Sequence, residues 1–251
     1  MNTFKTIAYG LVGGILLNLS YLSWMNGYGW GWAQGFPFGW GGAGLGAMIT
    51  FFHEIGHTLI AWCLGYVTIP SFDFSYGGGM AWMVTDQIFA LVFFANAGLL
   101  WLAYILREHV TLMLILFTAA FFNFTIAFTD YRNSWIDFMG PGTEITIASF
   151  FLIRAWMDIA PRGWGERFMN SLIGWGMIVH ALLTGFGLRG NEAMRENYYN
   201  QKGMHGFGDF GKIAENLSLS FDSVVMIYIC LTFFAAILPV IIMTIRHFKE
   251  D

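Results

Sequence analysis

Residues 47–66 read AMITFFHEIGHTLIAWCLGY, an apolar stretch that contains the ionisable side chains of His53, Glu54 and His57. A helix needs about 20 predominantly apolar residues to cross a membrane, and this stretch has that length. Charged side chains at bilayer depth cost roughly 2.5 to 3.5 kcal/mol each, so three ionisable groups so close together require a compensating interaction. A bound metal ion is the simplest such interaction.

The composition is that of an integral membrane protein. The chain has 251 residues, of which 57% are hydrophobic and only 11% are charged, whereas soluble domains are about 25% charged. The net charge of −4 and the absence of a basic run indicate that no nucleic acid is bound. We therefore expect the partners to be membrane lipid and membrane proteins, either as substrates or as subunits. We expect an integral protein of a bacterial inner (cytoplasmic) membrane.

Apolar runs long enough to cross a bilayer recur along the whole chain. They predict an all-α polytopic membrane protein of about seven transmembrane helices, with residues 1–251 forming a single integral membrane domain. The predicted spans cover approximately residues 7–25, 44–66, 86–106, 110–129, 142–159, 169–188 and 222–245.

Two connections between the predicted spans have unusual patterns. After Pro70, small or polar residues alternate with aromatic ones over residues 71–76, and three glycines follow. This pattern predicts a short β-hairpin, which at membrane depth must be covered by protein. Between Asn26 and Trp40, glycine alternates with aromatic residues and no charge is present. Because tryptophan and tyrosine favour the headgroup level, we expect this connection to lie along the membrane interface.

The motif His53-Glu54-Ile-Gly-His57 has the spacing of a zinc site. On an α-helix, residues i and i+4 share a face, so the two imidazoles can bind one ion while Glu54 reaches the water that completes the site. Zinc lowers the pKa of bound water toward about 7, and a glutamate then acts as general base and passes the proton to the leaving amine. The alternative is a hydrogen-bonded polar cluster between helices.

Residues 53–65, HEIGHTLIAWCLG, resemble the motif helix of the site-2 protease class of intramembrane zinc metalloproteases. The extended segment through Pro70 and Gly77–Gly79 is similar to the β-segment that this class places beside its active site. There the substrate is thought to add as an extended strand. The resemblance implies cleavage of a membrane-embedded peptide, with zinc as cofactor and Glu54 as general base.

The third metal ligand departs from this class, which supplies it from an Asp-Gly motif on a later helix. No Asp-Gly dipeptide occurs in the chain. We expect Glu144 to be the third ligand, because it follows Gly-Pro-Gly at the predicted start of the fifth helix, where the helix dipole also favours a negative charge. Asp137, which lies shortly after an asparagine, is the alternative ligand, and Asp209 and Asp130 are further candidates.

Three other polar residues are candidates for lesser roles. Asn96 and Asn123 lie within predicted spans and could contact the substrate or a developing oxyanion. The alternative for each is an ordinary hydrogen bond between helices. Asp209 is most simply explained as a cap of a short interfacial helix before the last span.

These observations predict an enzyme, an intramembrane zinc metalloendopeptidase that hydrolyses membrane-embedded or membrane-associated proteins. The alternative is a catalytically altered, metalloprotease-like accessory or structural subunit of a larger membrane protein complex. The absent Asp-Gly motif and the aromatic connection between Asn26 and Trp40 favour this alternative.

Overall fold

The computed structural model describes residues 3–25, 38–73, 78–157, 159–201 and 208–250. Most of the predicted aromatic connection, residues 26–37, lies outside these ranges. About 81% of the described residues are helical, and these residues include one small antiparallel sheet. In chain order the elements are α1 (Thr3–Met25), α2 (Phe38–Cys63), β1 (Thr68–Asp73), β2 (Gly78–Met83), α3 (Phe89–Ile105), α4 (Val110–Ala127), α5 (Arg132–Trp156), α6 (Trp164–Gly190), α7 (Glu192–Gln201), α8 (Asp209–Asn216) and α9 (Phe221–Glu250).

Four of the described helices are long and apolar enough to cross a membrane. They are α4, α5, α6 and residues Phe221–Arg246 of α9, and α3 is an apolar but shorter helix. The helical, membrane-spanning architecture predicted from the sequence is confirmed at this level. A count of seven spans stays a prediction.

Helix α5 begins ten residues earlier than predicted, at Arg132 instead of residue 142. Pro141 therefore lies inside the helix, although proline lacks an N–H group and disfavours helix interiors in water. Membrane helices tolerate proline better, because neighbouring groups can satisfy the backbone atoms that it frees. Glu144 consequently lies near the middle of α5, and the predicted interaction of its charge with the helix N-terminus is wrong.

Helix α5 lies at the centre of the bundle and packs against α2, α6, α8 and α9. The main hydrophobic core is formed by residues of these five helices. A smaller core joins the C-terminal end of α2 to α3, α4 and the start of α5. Helices α3 and α4 pack mainly against each other and expose many large apolar side chains, as expected of a pair that faces lipid.

The predicted β-hairpin is confirmed. Strands β1 and β2 pair in antiparallel register from Thr68 opposite Met83 to Asp73 opposite Gly78. Both strands pack against α2, and the ring of Phe72 stacks on that of Phe51 with centroids 5.3 Å apart. The hairpin is therefore held against the helix that carries the histidines.

Helices α1 and α6 approach closely through small residues. A Cβ atom added at Gly10 would lie 2.1 Å from Ser171 Oγ, and one added at Gly14 would lie 2.7 Å from the backbone nitrogen of Gly176. Asn18 Nδ2 donates a hydrogen bond of 2.8 Å to the Gly176 carbonyl. Contacts that advance in the same direction along both helices show that α1 and α6 run parallel. Small residues at such a contact allow two helix backbones to meet.

We predict that Gly14→Leu destabilises the protein in detergent, because overpacking a tight contact costs typically about 1–3 kcal/mol. The matched control is Gly44→Leu on α2, since a Cβ at Gly44 meets no atom within 4 Å. The measurement is the thermal unfolding midpoint of the purified protein. Equal midpoints for the two variants would contradict the close approach of α1 and α6.

Candidate metal centre

Two imidazoles on α2 face the same point. His53 and His57 are one helical turn apart, and their Nε2 atoms lie 3.1 Å apart. The side chains are 14% and 8% exposed, so both rings are largely shielded from solvent. The shared helix face that the spacing predicts is therefore confirmed.

A carboxylate from a distant part of the chain meets these two nitrogens. Asp209 Oδ2 lies 2.9 Å from His53 Nε2, and Asp209 Oδ1 lies 3.7 Å from His57 Nε2. In a tetrahedral zinc site, bonds of about 2.0–2.2 Å separate the ligand atoms by about 3.3–3.5 Å. The three observed separations lie close to those values, so His53, His57 and Asp209 form a set that fits a divalent metal ion.

The opposite ring nitrogens of both histidines are also occupied. His57 Nδ1 lies 2.7 Å from the Ile136 carbonyl oxygen, and His53 Nδ1 lies 2.6 Å from Glu144 Oε1. Metal-binding histidines almost always donate the second ring N–H to a carbonyl or a carboxylate, which fixes the tautomer and the ring orientation. With Nδ1 protonated, each ring presents the lone pair of Nε2 to the shared point.

The two acids predicted as third ligands lie elsewhere. Glu144 is at the Nδ1 side of the His53 ring, and its second oxygen accepts a hydrogen bond of 3.4 Å from the Tyr228 hydroxyl. Asp137 Oδ1 lies 3.9 Å from Lys212 Nζ. The position facing both Nε2 atoms is taken by Asp209, which the sequence pattern did not favour.

Asp209 is the first residue of α8, and the residues around it hold it in place. The helix is capped by Gly208 and has no side-chain capping bond, so the predicted capping role of Asp209 is wrong. Phe210 is buried, and its backbone N–H donates to the Tyr198 hydroxyl at 3.2 Å. A Cβ added at Gly208 would lie 2.3 Å from that hydroxyl oxygen, so only glycine fits there.

Tyr198, on α7, keeps its proton. Burial is the main cause that raises the pKa of this hydroxyl far above its usual range. Its ring also stacks on that of Phe210, with centroids 6.2 Å apart. Helix α7 therefore contacts α8 through this ring stacking and one hydrogen bond.

Gly140 lies close against the two donor nitrogens. A Cβ atom there would lie 2.3 Å from His57 Nε2 and 2.6 Å from His53 Nε2. On the facing helix, a Cβ at Gly56 would lie 2.2 Å from the Met139 carbonyl oxygen. The two glycines let α2 and α5 approach closely, and a side chain at Gly140 would collide with both donor nitrogens.

Glu54 lies between the motif helix and the hairpin. Its residue is 5% exposed, and a Cβ added at Gly79 of β2 would lie 2.4 Å from Glu54 Cγ. The backbone of β2 thus passes directly against the side chain of the predicted general base.

The structure places Asn96 and Asn123 in hydrogen bonds to backbone carbonyls. Asn96 Nδ2 donates to Val92, and Asn123 Nδ2 donates to Cys63 at the end of α2. At a rise of about 1.5 Å per residue, Cys63 is some 9 Å along the helix from His57. The bond of Asn123 joins α4 to α2 and fits the interhelical alternative, whereas the bond of Asn96 lies within α3. A role of either residue in substrate or oxyanion binding stays a prediction.

A comparison of the chain with protein-family models finds no match, and comparisons with curated proteins and with solved structures find none either. The resemblance to site-2 proteases therefore depends on the motif of α2, the adjoining hairpin and the geometry of the donors.

We predict that Asp209→Ala weakens zinc binding by more than about 100-fold. The loss of a direct ligand should exceed the roughly 10- to 100-fold effect of losing an outer partner. Glu215→Ala, an exposed acid on the same helix, is the matched control. Competition with a chromophoric chelator measures the affinity, and equal affinities for the two variants would exclude Asp209 as a ligand.

We predict that Gly140→Ala abolishes stoichiometric zinc binding, because the new methyl group would lie against both Nε2 atoms. We expect the variant protein still to fold. Alanine is otherwise the better helix former by about 1 kcal/mol. Gly98→Ala on α3 is the control, since a Cβ there meets no atom within 4 Å. The measurement is the zinc content by atomic emission. A normal zinc content in Gly140→Ala would contradict the assignment of His53 and His57 as ligands.

Proposed function

We propose that this protein is an intramembrane zinc metallopeptidase that hydrolyses peptide bonds of membrane-embedded or membrane-associated proteins. The proposal is supported by the convergence of His53 Nε2, His57 Nε2 and the Asp209 carboxylate, with Glu54 next to His53 in the sequence. Catalytic zinc sites typically have three protein ligands of these types and keep a fourth position open.

The donor chemistry favours zinc over the common hard cations. Imidazole nitrogen suits zinc, copper, iron or nickel, whereas calcium and magnesium prefer sites made of oxygen alone. Two imidazoles and one carboxylate in a compact arrangement agree with a catalytic zinc site, and the outer partners of both rings resemble those of known zinc ligands.

Zinc and Glu54 would have separate roles in peptide-bond hydrolysis. Zinc, when bound, supplies a water of lowered pKa and polarises the scissile carbonyl. Glu54 removes the proton from the attacking water and delivers it to the leaving nitrogen as the peptide bond breaks. Because Glu54 is buried beside the hairpin backbone, bulk water is kept from this proton transfer.

The hairpin provides a binding edge for an extended substrate. Each strand of a two-stranded sheet has one edge with unpaired backbone groups, and peptides commonly add to such an edge as a further strand. Since β2 lies against Glu54, a strand bound there would bring its peptide bonds next to the general base. A transmembrane substrate must therefore unwind locally before it is cut.

The accessory-subunit alternative loses part of its support in this geometry. It was motivated in part by the absent Asp-Gly motif, and Asp209 Oδ2, which lies 2.9 Å from His53 Nε2, offers a third donor without that motif. A protein purified without metal and always in fixed stoichiometry with other membrane subunits would favour that alternative. A location in the bacterial inner membrane stays a prediction.

We predict that Glu54→Gln retains zinc and loses proteolysis, because the amide cannot accept the proton of the attacking water. General-base catalysis contributes typically about 10²–10⁴-fold to a rate. The assay follows cleavage of single-span membrane proteins placed with the enzyme in the same vesicles, and Glu108→Gln, an exposed acid, is the control. Proteolysis by Glu54→Gln at the wild-type rate would refute the mechanism.

A further inference from the structure

The two histidines of the candidate metal centre differ in what holds their Nδ1 atoms. His57 is paired with the carbonyl of Ile136, a backbone group fixed by α5. His53 is paired with the carboxylate of Glu144, a side chain with several rotatable bonds. The orientation of the His53 ring therefore depends on the contacts that hold the Glu144 carboxylate in place.

The second oxygen of Glu144 is held by α9. The Tyr228 hydroxyl donates to Glu144 Oε2 at 3.4 Å, and the two residues are 2% and 8% exposed. A buried carboxylate is costly unless it is hydrogen-bonded, and bonds in which one group is charged are stronger than neutral ones. The carboxylate of Glu144 therefore meets polar groups from two other helices, His53 of α2 and Tyr228 of α9.

The ring of Tyr228 also packs beside the segment that carries Asp209, the third donor of the candidate metal centre. Its centroid lies 5.0 Å from that of Phe210, which follows Asp209 in the chain. Aromatic rings at this distance attract each other in addition to the area that they bury. One side chain of α9 thus supports His53 through Glu144 and supports Asp209 through Phe210.

We infer that Glu144 and Tyr228 are positioning residues of the metal centre, an inference that rests on the proposed metal site. Glu144 fixes the tautomer and the ring orientation of His53. Tyr228 fixes the carboxylate of Glu144 and, through its ring, the start of α8. Neither residue binds the ion directly, and this differs from the ligand role that the sequence predicts for Glu144.

The test measures zinc affinity by chelator competition on the full-length protein in detergent, with zinc alone as the probe. Loss of an outer partner typically weakens metal binding by 10- to 100-fold, so we expect that loss for Glu144→Gln with one zinc still bound. For Tyr228→Phe, which keeps the ring and removes only the hydroxyl, we expect a smaller loss, below about 10-fold.

The matched control is Ser149→Ala. Ser149 is buried on α5, and its hydroxyl donates to the Ala235 carbonyl of α9 at 3.3 Å, so the substitution removes a hydrogen bond between the same two helices. If loosening of the bundle were the cause of weaker binding, this control would show it too. We expect wild-type zinc affinity for Ser149→Ala.

A second measurement separates positioning from folding. The visible absorption of cobalt bound in place of zinc reports ligand geometry, and we expect an altered spectrum at unchanged stoichiometry in Glu144→Gln. Wild-type affinity and an unchanged spectrum in Glu144→Gln would overturn the inference while leaving the metal site intact. Complete loss of metal, as expected for Asp209→Ala, would make Glu144 a direct ligand and also overturn it. A wild-type protein that binds no metal would refute the proposed function itself.

Discussion

Helices α2 and α5 meet at two glycines, and the candidate metal centre depends on this contact. Gly56 brings the backbone of α2 against Met139, while at Gly140 any side chain would collide with the two Nε2 atoms. His57 faces Ile136 and His53 faces Glu144, so the two helices run antiparallel. Two positions of α5, about two helical turns apart, each supply a partner for one imidazole. A larger side chain at either glycine would separate the helices or fill the site.

The acids of the metal centre and its surroundings each lie beside a polar or charged side chain. Glu144 accepts from an imidazole and a phenol, Asp209 faces two imidazoles, and Asp137 lies near a lysine. In surroundings of low dielectric constant such networks are strong when complete and costly when a partner is missing. The same network that lowers the cost of burying charge therefore also defines a single geometry for the donors.

Local sequence patterns predict the helices well, since each predicted span overlies an observed helix, and they also predict the hairpin after Pro70 and the shared face of the two histidines. These local patterns did not predict two features of the structure, the start of α5 and the position of Asp209. Residues 140–142 have the sequence pattern of a helix start. In the structure, however, α5 begins at Arg132 and continues through Pro141. Asp209 lies in a polar, glycine-rich segment, and only the buried Phe210 and Ile213 that follow it hint that this segment turns toward the bundle.

The bond between His53 and Asp209 spans 156 residues of the chain. During biosynthesis the two histidines therefore enter the membrane long before the oxygen that completes their set has been translated. A nascent chain that ends with α6 contains His53, Glu54 and His57 but not Asp209. The candidate metal centre can therefore form only after α8 has been translated.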